Sequence, residues 1–110
     1  MNVYDEANKL AQAIRESEEF KRFEAMQKVI DEKPEIKNMI EELQRKQMEQ
    51  QTKQMMGEDI SQDLIRDTQS LYQILTADPE AAQYLQDLMR YSLMMNDVFK
   101  ILGDAVNIGK

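Results

Sequence analysis

Neither cysteine, histidine nor tryptophan occurs in this 110-residue chain, and glycine (3) and proline (2) are scarce. Without a thiol or an imidazole there is no thiolate nucleophile, no Ser-His-Asp triad and no ordinary zinc, haem or iron–sulfur site. A disulfide framework is impossible, which excludes a secreted, stapled mini-domain and accords with a reducing cytoplasm. No apolar run approaches the roughly 18 residues that mark a membrane-spanning helix, so no membrane insertion is expected. The opening Met1-Asn2-Val3-Tyr4-Asp5-Glu6 is acidic with no apolar core behind it, so no signal peptide is expected either. Bases are few, 14 against 21 acids for a net charge of -7, which argues against a nucleic-acid footprint. Glycine-rich phosphate loops and nucleophile elbows are absent.

What remains is helical pattern. Apolar residues make up 42% and charged ones 32%, a balance that argues against disorder. The length suits a single all-helical domain over residues 1–110. Area scaling for 12.9 kDa gives roughly 6,300 Å² exposed when compact, against about 18,700 Å² unfolded. An elongated helical chain of this size would fall short of that burial and gain from a second subunit.

Val3, Ala7, Leu10 and Ile14 recur at helical spacing. Ser17 then offers an N-cap before Glu18 and Glu19, and Phe20, Phe23, Met26 and Ile30 form the next stripe. Pro34 suits a first helical position, ahead of Ile36, Ile40 and Leu43. Beyond Leu43 that stripe turns polar, reaching Gln47, Gln50 and Gln54, while helix formers persist to Gly57. Ile60, Leu64, Leu71 and Leu75 form a fourth stripe, with Thr68 in step. Thr76-Ala77-Asp78-Pro79-Glu80 reads as a stop followed by a capped start. The last helix carries two apolar stripes: Leu85, Leu88, Ser92, Met95, Phe99, Leu102 and Val106, and beside it Met94, Val98, Ile101, Ala105 and Ile108. Two such faces predict enclosure of its second half. The expected helices are about 3–16, 18–32, 34–56, 61–76 and 79–107, with no strand.

Two regions invite a functional reading. The Gln44–Met56 stretch is either a projecting arm whose Met48, Met55 and Met56 grip a partner, or a solvated hairpin end whose methionines cover the returning helix. In the last helix, Met94, Val98, Ile101, Ala105 and Ile108 form either a homodimer surface or the core of a monomer. The i,i+4 pairs Glu18–Arg22, Glu24–Lys28, Glu41–Arg45, Glu42–Lys46 and Glu49–Lys53 read as solvated helix faces. Their other reading, a phosphate-contacting stripe of Arg45, Lys46 and Lys53, conflicts with the interleaved acids. Tyr72, Tyr84 and Tyr91 are expected to lay their rings on the bundle. No carboxylate set matches a di-iron, glycosidase or EF-hand pattern, so no catalytic residue, metal or cofactor is expected.

Several of these segments occur in a familiar order: Val3-Tyr4-Asp5-Glu6-Ala7-Asn8-Lys9-Leu10, Ser17-Glu18-Glu19-Phe20, the late Gly57, Leu71-Tyr72-Gln73 and Asp78-Pro79-Glu80-Ala81. Together they resemble the YlbF/YmcA superfamily, within it the YheA-like branch called UPF0342, over roughly Val3 to Ile108. The resemblance implies an all-α protein of the bacterial cytoplasm that tends to form dimers or larger helical assemblies. Better-studied relatives join a third protein in a regulatory complex that affects competence, biofilm formation and sporulation through RNA processing by a membrane-associated ribonuclease. Those relatives also hold iron–sulfur clusters through cysteines. This chain has none, so neither the cluster nor membership of that complex carries over.

The sequence therefore predicts an all-α, elongated bundle of about five helices with a projecting helical hairpin, dimeric. Its expected function is non-enzymatic protein–protein interaction or regulation, with a protein partner of unknown identity. The alternative is a regulator associated with RNA processing, contacting RNA or a ribonuclease complex.

Overall fold

The structure, a computed structural model, describes residues 2–106. Five helices account for most of them: α1 (Val3–Glu16), α2 (Glu18–Asp31), α3 (Pro34–Met55), α4 (Gln62–Thr76) and α5 (Pro79–Val106). No strand occurs among the described residues. Each described boundary falls within one residue of the sequence expectation, because the breakers act where their chemistry places them. Asn2 caps α1, its Oδ1 accepting from the Tyr4 and Asp5 amides. Pro34 opens α3, where its missing N–H costs nothing. Ser61 Oγ accepts from the Leu64 amide at the start of α4. Asp78 Oδ1 accepts from the Glu80 and Ala81 amides at the start of α5.

Ser17 serves two helices at once. Its backbone is extended (φ -69°, ψ 151°) and its amide donates to the Ile14 carbonyl, closing α1. Its Oγ also donates to that carbonyl, at 2.6 Å, and accepts from the Phe20 amide at 3.1 Å, opening α2. One residue thus replaces a loop.

The chain packs as two compact units. One comprises the described residues up to Gln27 together with those from Tyr84 onward; the other is Lys28–Gln83. In the first unit α2 meets α5 through aromatic rings. Phe23 stacks on Tyr91 with centroids 5.2 Å apart, Phe20 meets Tyr91 edge-on at 5.8 Å, and Phe23 lies 5.6 Å from Tyr84. Tyr84 is buried and Tyr91 half-buried, as the sequence implied, whereas Tyr72 is half exposed. The second unit is built on the α3–α4 hairpin, whose core is Ile40, Leu43, Leu64 and Leu75, with Ile30 and Ala81 also buried.

Candidate functional site

The α3–α4 hairpin ends in a tightly specified turn. Met56 caps α3, and Gly57 follows at φ +73°, the left-handed conformation that glycine adopts without steric cost. The Gly57 amide donates to Gln54 O and the Glu58 amide to Lys53 O, the paired bonds of a Schellman cap. Upstream, the α4-facing side of α3 runs through Leu43, Lys46, Gln50 and Lys53 at 3-4-3 spacing, each shielded from solvent to some degree. This replaces the Gln47–Gln50–Gln54 stripe expected from the sequence. Gln50 Nε2 donates to Thr68 Oγ1 at 2.8 Å, and Thr68 Oγ1 donates in turn to Leu64 O. A polar clasp holds the outer hairpin where apolar residues run out.

Met48 lies two residues from Gln50, about 160° around the helix, and Met55 lies seven residues from Met48, within about 20° of it. Both therefore project away from α4. Met48, Met55 and Met56 are 68%, 81% and 67% exposed. The reading in which they cover the returning helix is thereby corrected: the stripe through Gln50 meets α4, Met48 and Met55 point away from it, and Met56 at the cap is exposed.

On α5 the five candidate interface residues divide. Met94 and Val98 are half-buried, Ile101 and Ala105 are exposed, and Ile108 lies outside the described residues. Phe99, Leu102 and Val106 of the neighbouring stripe are exposed as well, as are Met89 and Leu93. The expected enclosure of this half of α5 is not provided by the described residues of the chain. α1 has a similar gradient in the same unit: Val3 and Tyr4 are 80% exposed, while Leu10 and Ile14 are half-buried.

The stripe that is buried on α5 was not evident from the sequence. It runs through Ala81, Tyr84 and Asp87, the last only 3% exposed. A small residue, a phenol and a carboxylate do not register as an apolar repeat, though their three-residue spacing was available. Among the described residues no buried side-chain polar atom lacks a hydrogen-bond partner.

The charged residues are largely paired. Glu42 takes both Arg45 (2.7 Å) and Lys46 (3.4 Å), so two members of the suggested phosphate stripe are held by one carboxylate. Glu18–Arg22 and Glu42–Lys46 form as expected, whereas Glu24–Lys28, Glu41–Arg45 and Glu49–Lys53 are not among the ion pairs of the described residues. Lys33, at the α2–α3 turn, pairs with Glu80 and lies 3.9 Å from Asp78. The hydrogen bond to Glu80 raises the Lys33 pKa above the ordinary lysine value. The Ala81 amide, with smaller help from Lys33, lowers that of Asp78. Beside this cluster an open groove of about 500 Å³ is lined by Lys33, Pro34, Glu35 and Ile36. Among the described residues no group of acidic side chains is arranged to hold a metal ion, and no helix is long and apolar enough to cross a membrane.

Residues 3–107 match the family described as "Control of competence regulator ComK, YlbF/YmcA". The chain belongs to this family. Within it the chain is similar to proteins named UPF0342. One from Caldicellulosiruptor saccharolyticus is 36% identical, over 97% of this chain and 89% of that protein. Another from Desulfitobacterium hafniense is 38% identical, over 96% and 86%. A third from Symbiobacterium thermophilum is 35% identical, over 96% and 95%. A solved structure, "Protein of Unknown Function (DUF964) from Bacillus stearothermophilus", superposes with a TM-score of 0.75 at 22% identity, covering 96% of this chain and 92% of that one. That likeness shows that the fold is shared.

Proposed function

We propose that this YlbF/YmcA-family chain is a non-enzymatic, cytoplasmic regulatory protein that works as a homodimer and docks a protein partner at the tip of its α3–α4 hairpin. The observation that carries the reading is the methionine triad. Met48 and Met55 lie on the outer side of the hairpin and Met56 caps α3 at the turn, all three exposed to solvent. Methionine is unbranched and polarisable, so it moulds to an incoming surface at low cost. The family description, control of a competence regulator, supports a regulatory role exercised through binding.

Dimerisation is supported by the second half of α5. Phe99, Leu102 and Val106, within about 60° of one another around the helix, and Ile101 on the adjoining stripe are apolar side chains that one chain leaves in water. Light scattering after size exclusion tests it: the expected mass is twice the 12.9 kDa of one chain, falling to one chain mass in I101D/L102D. A single-chain mass for the unmodified protein overturns the dimer. Docking is tested by quantitative capture from an extract of the native cell. The M48Q/M55Q/M56Q variant should lose partners that the unmodified protein retains, at unchanged helicity; equal capture overturns the docking reading.

A further inference from the structure

From the chemistry around the methionine triad we infer that the occupant of the hairpin tip is a basic amphipathic helix of another protein, an inference that rests on the docking reading above. Three observations select that partner. The first is charge. Residues 48–63 hold four acids (Glu49, Glu58, Asp59, Asp63) and one base (Lys53), net -3. Asp63 is committed to Arg66. Glu49, Glu58 and Asp59 are exposed and take part in no ion pair among the described residues. Elsewhere in the hairpin Glu42 is neutralised twice over. The methionines are therefore bordered by carboxylates that carry uncompensated charge, and a partner of matching cations gains both steering and contact energy.

The second observation is backbone satisfaction. The tip is helix, Schellman cap and helix, with no strand edge to which an extended peptide could add. Contact must come from side chains, as when an apolar helix face lies along an apolar ridge. The third is the absence of aromatics. No Phe, Tyr or Trp occurs between Phe23 and Tyr72, so the aromatic-walled grooves that read proline-rich segments cannot form at the tip. Met48 and Met55 stand two turns apart, about 10.5 Å along α3. That spacing matches anchors two turns apart on a partner helix, with Met56 and the acids of the turn beyond it.

The test uses the full-length protein and three synthetic helical peptides of about 18 residues, five turns: an amphipathic Leu/Lys peptide, its Leu/Glu counterpart, and a scrambled Leu/Lys peptide of equal charge. Binding is read by calorimetry at two salt concentrations. The Leu/Lys peptide should bind at least tenfold more tightly than the other two. M48Q/M55Q/M56Q should weaken it tenfold with its salt dependence retained. E49Q/E58Q/D59N should weaken it similarly and flatten the salt dependence. Circular dichroism melting keeps folding separate from binding. If the Leu/Glu peptide binds equally well and is lost in the methionine variant, the tip still docks proteins but the basic partner is wrong. If scrambling changes nothing, or neither variant matters, the attraction is diffuse and both readings of the tip fall. If the methionine variant halves the mass in solution, the tip is covered by a second copy and the inference fails.

Discussion

Phe23 of α2 lies flat against Tyr91 of α5, with ring planes 2° from parallel and centroids 5.2 Å apart. These rings join elements distant in sequence, so their loss should be felt by the whole first unit. Phe23→Ala is expected to cost about 2 kcal/mol, below the roughly 3–5 kcal/mol of a fully buried ring because Phe23 is only half-buried. A double-mutant cycle with Tyr91→Leu should return a coupling of about 1 kcal/mol. Urea titration monitored by circular dichroism measures both.

In the second unit the steepest loss is expected at Leu43, which is 1% exposed. Leu43→Ala should cost about 3–4 kcal/mol through lost burial and an unfilled cavity. Thr68→Val should cost only about 1 kcal/mol, since it removes a partner from Gln50, a half-exposed amide that water can resolvate. A ranking of Thr68 above Leu43 in thermal melts would show that the clasp, rather than the apolar core, holds the hairpin.

Gly57 separates backbone strain from crowding. A Cβ there meets nothing within 4 Å, yet φ is +73°. Gly57→Ala should therefore cost about 1–2 kcal/mol by conformation alone, and Gly57→Asn less, because Asn tolerates the left-handed region. Chemical denaturation of the two variants decides it.

The Lys33–Glu80–Asp78 cluster predicts a defined pH window. The pKa of Asp78 is lowered in the folded state, so its contribution is present above about pH 4 and is lost as pH falls through the folded value. The pKa of Lys33 is raised, so its contribution is complete below about pH 10.4 and is lost as pH rises through the folded value. Asp78→Asn keeps a capping oxygen and should flatten the acid limb of a Tm–pH profile; Lys33→Met should flatten the alkaline limb.

The helices were legible because each end is written in local chemistry: Ser17, Pro34, Gly57 and Asp78-Pro79 act on their own backbone whatever surrounds them. The stripes of α2 and α4 were legible for the same reason, since Ile30, Leu64 and Leu75 are apolar and buried. The outer part of α3 was not. Its α4-facing positions are Lys46, Gln50 and Lys53, which cover neighbouring surface with their stems and do not register as apolar. Asp87 was missed because a carboxylate is buried only when its surroundings accommodate it, and periodicity carries no information about surroundings. The methionines could be placed on a helix from the sequence; which way they faced depended on the true register of α3 against α4.

The double cap at Ser17 has a consequence for how this chain can vary. A connection of one residue has no slack. Inserting or deleting a single residue there would turn α1 by about 100° about its axis relative to α2 and carry Leu10 and Ile14 away from the surface that half-covers them. The 57–61 connection is fixed at its two ends by the Schellman cap and the Ser61 cap, but Asp59 and Ile60 between them leave slack that the α1–α2 junction lacks. Length changes tolerated over evolution should therefore gather at the hairpin tip and be missing from the α1–α2 junction, leaving the tip free to change its partner while the junction holds its count.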